Sequence, residues 1–174
     1  MNRSTDRQPF LPDEDGFAGW TYCYNLPLLA RRVHDILAVI EMANLDAVEA
    51  QQIDLIGLGP TGAWVAAALV QSRGSIERAA IDTAEFRFGE LTDVYGANFF
   101  PGAVKYGDVP GLLALAAPTR LWLAGESDES LASVKASYAS LECPEQLTIY
   151  SGQPSTNPRA AVSWLLGQRH FKGS

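Results

Sequence analysis

The sequence is short of the residues on which many protein chemistries depend. Its 174 residues include two cysteines, Cys23 and Cys143, and two histidines, His34 and His170. The cysteines lie far apart with no CxxC spacing, which argues against a disulfide framework or a zinc site and leaves two ordinary thiols. Basic residues are also scarce: 13 Lys and Arg against 20 Asp and Glu give a formal charge of −7, and no basic run forms a stripe that could track phosphates. Nucleic acid is therefore not an expected partner. The longest uninterrupted apolar run, Ala63 to Val70, is far below the ~18 residues of a membrane helix, so no membrane partner is expected either. The opening MNRSTDRQPFLPDEDGF has no apolar segment of a secretory signal. A longer parent chain would hide one, so the compartment stays unknown, with the cytoplasm expected for a complete chain.

What is present is globular. Hydrophobic residues make up 47% and charged residues 19%, enough to fold around one hydrophobic core but over a length too short for two well-buried ones. Residues 1–24 mix Pro, Asp, Arg and Gly with Phe10, Phe17, Trp20, Tyr22 and Tyr24 and show neither helical nor alternating periodicity, which reads as an irregular arm packed by its aromatics. Residues 25–174 read as a single domain. Asn25 is placed to cap a helix with Pro27 in its first turn, and Leu29, Val33, Ile36, Leu37 and Ile40 follow at helical spacing.

From Ile53 the text alternates between strand and helix. IDLIG runs through GLGPTG into the Ala-rich AWVAAALVQSRG, which Gly74 closes. Strands are expected at Ile76–Asp82, Thr119–Gly125 and Gln146–Tyr150, and helices at Asp128–Leu141 and Pro158–Leu166. The stretch from Thr83 to Pro118 reads as a long irregular loop of the kind that is functional or wraps a core. Parallel strands must be joined by crossovers, so this order predicts an α/β fold with a mostly parallel sheet of about four strands flanked by helices.

The glycine-rich turn has two readings. Gly57, Gly59 and Gly62 form G-x-G-x-x-G between a strand and a helix, and Asp82 ends the next strand about 20 residues on. That is the pattern of a Rossmann-type binder of NAD or NADP, with pyrophosphate at the helix N-terminus and Asp82 on a ribose hydroxyl. The same strand, turn and helix also build the nucleophile elbow G-x-S-x-G, which needs small residues around a sharp turn. On that reading Gly59 takes a positive φ.

A longer stretch favours the elbow. FPGAVKYGDVP (100–110), followed by LALAAPTRLWLAG (113–125), resembles acetylxylan-esterase and dienelactone-hydrolase-like members of the α/β-hydrolase superfamily. In that group a PG…YGD-x-P loop and an ALxAPRPLL run lead into the strand carrying the catalytic acid. Tyr24 and Asn25 with Arg32 and Asp35 resemble the same group's helix before the elbow, so the likeness covers about residues 24 to 130. It implies the C-terminal half of an α/β-hydrolase-like sheet, carboxylic-ester hydrolase ancestry, a small-molecule ester as ligand and no cofactor.

The resemblance also implies site residues. Gly125-Glu126-Ser127-Asp128 places the acid at Asp128, whose alternative role is to cap the helix beginning there. The nucleophile position falls on Gly59, which has no side chain to attack a carbonyl. Thr61, two residues on, lies in the first helical turn and is expected to face solvent or bond backbone rather than act as a nucleophile. The base belongs in the loop after the last strand, Ser151 to Asn157, which has no histidine, and His34 and His170 lie elsewhere. A degenerate site lacking both serine and base is the expectation.

Asp82, Glu85, Glu90 and Asp93 read as solvated charges, and no metal is expected. Arg87 is expected to anchor its loop, and Lys105 and Asp108 to form an ion pair within theirs. Finally, Ile53, Leu55 and Ile56 suggest a strand covered on both faces. One edge of that strand lacks a neighbour in this chain, and the arm, a second copy in a homodimer, or a missing N-terminal half is expected to cover it.

Overall fold

A computed structural model describes residues 25–45, 52–72, 74–93, 96–100 and 102–167. The expected arm at 1–24, Cys23 and His170 lie outside the described residues. Helix α1 (Leu28–Leu45) leads to strand β1 (Asp54–Gly57), helix α2 (Gly62–Gln71) and strand β2 (Arg78–Asp82). Helix α3 (Asp108–Leu115), strand β3 (Arg120–Ala124), helix α4 (Asp128–Ser140), strand β4 (Leu147–Ile149) and helix α5 (Asn157–Gly167) follow among the described residues. The four strands form one all-parallel sheet in the order β1-β2-β3-β4, with Leu55 beside Ala79, Ala79 beside Leu121 and Leu121 beside Leu147. The fold is α/β.

Alternation along the strands sorts the core into two layers. Ala79, Ile81, Leu121 and Leu123 point to one face, where α1 contributes Leu29, Val33 and Ile40, α3 Val109 and Leu113, and α4 Leu131, Val134 and Tyr138. On that face α2 is buried almost all round from Gly62 to Leu69, which explains its alanines: a helix wedged between α1, α3 and the sheet has room only for small side chains. Ala80, Trp122 and Ala124 point to the other face, under Ala161 and Leu165 of α5. Among the described residues Trp122 is the largest fully buried side chain, and its ring packs tilted against Tyr150 at 5.1 Å between centroids.

Four sequence expectations change. The stretch Thr83–Pro118 is not irregular throughout, because its end forms α3. Pro110 sits in the first turn of that helix, where its missing N–H would have had no partner, and Gly107 (φ +85°) and Asp108 (φ +56°) steer the chain into it. Pro27 rather than Asn25 holds the cap of α1, since the Arg31 N–H donates to the Pro27 carbonyl at 3.2 Å. Asp108 secures its loop without Lys105: its carboxylate accepts from the backbone N–H groups of Phe88 (2.9 Å), Gly89 (2.9 Å) and Val109 (2.7 Å). Ile56 is 42% exposed, because α5 covers β2 and β3 but not β1.

Candidate functional site

All four strands run the same way, so the loops after them share one rim. The first of these loops is the glycine turn. Leu58 is extended (φ −122°, ψ 134°), Gly59 has φ +55°, residues Gly59–Thr61 make a 3-10 turn, and α2 starts at Gly62. A Cβ on Gly57 would lie 2.6 Å from Val65 Cβ, and one on Gly62 would press into the carbonyl oxygen of Asp82. These two glycines let α2 pack directly on β1 and β2. Gly59 differs: among the described residues, and apart from its own chain neighbours, no atom lies within 4 Å of the place a Cβ would take, so this side of the turn is open to them. The Thr61 hydroxyl is used inside the turn, accepting from the Leu58 N–H at 3.0 Å and donating to the Leu58 carbonyl at 3.1 Å.

Asp82 ends β2 beside that turn and is buried. Its Oδ1 accepts from the Ala84 N–H at 3.0 Å and its Oδ2 from Asn157 Nδ2 at 2.9 Å. Both oxygens thus face inward, whereas a carboxylate that holds a ribose must be accessible to it. Asn157 opens α5, is 3% exposed, and keeps its buried Oδ1 without a hydrogen-bond partner among the described residues. The structure therefore brings Gly57, Gly59, Gly62 and Asp82 together, and joins Asp82 to Asn157, which closes the loop after β4. The order of the described strands never reverses, so they contain no topological switch point of the kind where nucleotides bind in open α/β sheets.

Asp128 lies apart from these contacts. It is the first residue of α4, exposed, and Ser127 rather than Asp128 caps the helix, its hydroxyl accepting from the Ser130 N–H at 3.4 Å. The carboxylate held at this strand end is Glu126, whose side chain is 1% exposed. Glu126 accepts from the two terminal guanidinium nitrogens of Arg87, Nη1 at 3.1 Å and Nη2 at 2.5 Å, and Arg87 also donates to the Phe86 carbonyl and to Ser130 Oγ. Thr83 Oγ1 sits between Glu126 Oε1 (2.6 Å) and the Gly125 carbonyl (2.5 Å). Arg87 therefore anchors its loop, as its place between Phe86 and Phe88 suggested. The anchored turn is strained, with Ala84 (φ 49°) and Glu85 (φ 59°) both left-handed between Thr83 and Phe86.

Sequence reasoning missed Glu126 and Asn157. Their signal was positional only: each stands where a strand end or a helix start meets the rim, and burial gives them their roles. The loop after β4 holds Tyr150, whose hydroxyl lies 3.0 Å from Thr156 Oγ1. His34 lines a cleft of about 640 Å³ with Val70, Gln71 and Ser72, at the far end of α2 from the glycine turn. Ten residues of helix separate those ends by roughly 15 Å. Glu85 and Glu90 are exposed, and no group of His, Cys, Asp and Glu among the described residues is arranged to hold a metal ion. No helix among the described residues is long and apolar enough to cross a membrane. Comparison with family models, curated proteins and solved structures finds no match for this chain.

Proposed function

We infer that the chain is an α/β-hydrolase-type domain of carboxylic-ester hydrolase ancestry, of the acetylxylan-esterase and dienelactone-hydrolase kind, that no longer cleaves esters through a covalent intermediate. The observation that carries this reading is Gly59, left-handed and unobstructed by the described residues at the tip of a sharp strand-to-helix turn flanked by two close-packed glycines. A side chain at that tip would project away from the described residues, which is where an elbow displays its nucleophile. Glycine supplies no hydroxyl there, and the hydroxyl of Thr61 is committed to Leu58. The nearby carboxylate of Asp82 is paired with the amide of Asn157, and an amide does not take up a proton at neutral pH as an imidazole does. Nucleophile and base are thus both replaced, and the remaining chemistry of the rim is that of binding a small ester-like molecule.

The test is labelling with a fluorophosphonate probe together with turnover of p-nitrophenyl acetate. The wild-type chain is expected to show neither, and Gly59→Ser alone is expected to gain no turnover because it restores no base. Stoichiometric labelling of the wild-type chain would overturn the reading. So would a rise of several degrees in Tm with NAD(H) or NADP(H), which would favour the nucleotide-binding interpretation of the same glycines.

A further inference from the structure

We propose that Arg32, Trp64 and Asn98 form a binding site for the carboxylate of a small organic acid. The inference does not depend on the hydrolase reading. Trp64 is the third residue of α2, and α1 packs alongside that helix. From α1, Arg32 lays its guanidinium over the indole, with Cζ 4.0 Å from the ring centroid. Asn98 stands in the turn that the Phe99 N–H closes on the Gly96 carbonyl at 3.0 Å, and its Oδ1 accepts from the Trp64 Nε1–H at 2.6 Å. One half-buried aromatic ring thus carries a cation over its face and an amide at its edge, and both of those residues are half-buried too.

These groups hold donors without acceptors. Arg78 is paired with Asp54 and Arg87 with Glu126, whereas Arg32 makes no hydrogen bond or ion pair among the described residues. The chain has 20 acidic residues to offer, so the missing partner is not for want of carboxylates. A half-buried charge without a counter-charge costs free energy, and stacking on an indole offsets only part of it. Asn98 is left in the same state. An indole N–H can only donate, so its partner must be the amide oxygen, and the Nδ2 hydrogens remain without an acceptor among the described residues.

The donors select the ligand. A guanidinium presents its N–H groups as a planar fork that matches the two oxygens of a carboxylate, and its contact with the indole limits the freedom lost on binding. The Asn98 amide supplies a further donor. A doubly charged phosphate group calls for more positive charge or for several backbone N–H groups, as in a phosphate-binding loop. The neighbouring glycine turn does not supply them: the Leu58 N–H is taken by Thr61 Oγ1, the Thr61 N–H by the Leu58 carbonyl and the Gly62 N–H by the Gly59 carbonyl, and Pro60 has none. One positive charge faces the ligand, and one negative charge balances it.

Benzoate and acetate are the probes, titrated into the isotope-labelled full chain at constant ionic strength so that screening does not change. The NMR signals of the Trp64 Nε1–H and the Asn98 side-chain amide are expected to shift and saturate together, with a Kd for benzoate of about 1 to 10 mM, as a few charge-assisted hydrogen bonds provide. Arg32→Lys keeps the charge but loses the fork, and is expected to bind at least about fivefold more weakly. Asn98→Asp keeps an oxygen for Trp64 and turns the unused donor into a second negative oxygen, so its signals are expected not to saturate. Wild-type shifts that stay linear to about 100 mM, or benzoate binding unchanged in either variant, would overturn the proposal. Inorganic phosphate bound as tightly as benzoate at the same ionic strength would overturn the carboxylate as its ligand.

Discussion

Replacing Gly62 by alanine is the sharpest probe of how the glycine turn is built. The added methyl would press into the Asp82 carbonyl oxygen and stand 3.0 Å from the Asp82 carbonyl carbon and 3.2 Å from Thr83 Cα. Those atoms belong to the backbone at the end of β2, and the methyl would be fixed to the first turn of α2, so no rotamer change relieves the contact. Relief requires α2 to retreat from the sheet, loosening Val65, Ala66 and Leu69 in the core they share with Ile81. Overpacking of this kind costs about 3 kcal/mol. Alanine's better helix propensity returns less than about 1 kcal/mol at a helix start. A net loss of about 2 to 3 kcal/mol in a domain of this size lowers Tm by roughly 5 to 10 °C. Gly59→Ala is the informative control, because among the described residues, its chain neighbours apart, it meets no atom within 4 Å yet must keep φ near +55°. Its expected loss is about 1 to 2 kcal/mol, from backbone strain alone. Urea and thermal unfolding by circular dichroism measure both. A Gly62→Ala variant as stable as Gly59→Ala would refute the close contact between α2 and β2 on which the site's geometry rests.

Two further changes test the supports of the fold. Asp108→Ala removes an acceptor shared by the Phe88, Gly89 and Val109 N–H groups and is expected to lose about 3 kcal/mol in urea unfolding, with Asp108→Asn losing less, since asparagine retains an acceptor and tolerates a positive φ. Tyr138 is buried on the inner face of α4, donates to the Thr119 carbonyl at 2.7 Å, and has its phenol pKa pushed up, by burial first and by the negative charge of Cys143 second. The folded state therefore favours the neutral phenol: its contribution is complete below the unfolded value of about 10 and declines as pH rises beyond it. Tyr138→Phe is expected to flatten the loss of stability above pH 10 in pH-dependent unfolding curves, and an unchanged slope would contradict that assignment.

Much of the architecture was legible because it rests on local periodicity. Four apolar segments separated by helical stretches suffice to specify parallel strands, since no hairpin joins such strands, and the observed sheet has that order. Helix α3 fell inside the stretch expected to be irregular because proline and glycine are poor helix formers in isolation, and Asp108's grip on the Phe88–Gly89 backbone sets Pro110 in a first helical turn, where its missing N–H costs nothing. The glycine turn was legible as well: Gly57, Gly59 and Gly62 are spaced for a sharp bend, though spacing alone serves a phosphate cradle and a nucleophile elbow equally.

The sequence by itself determined the α/β class, the small residues around the turn, and the absence of a side chain at Gly59, because these follow from local pattern and residue identity. The tertiary structure alone decided which carboxylates are held at the rim. Asp128 follows β3 at the expected spacing and lies exposed on α4, while Asp82 and Glu126 are drawn inward by Asn157, 75 residues away, and Arg87, 39 residues away. A buried charge must find partners, and those partners come from segments that local sequence cannot see.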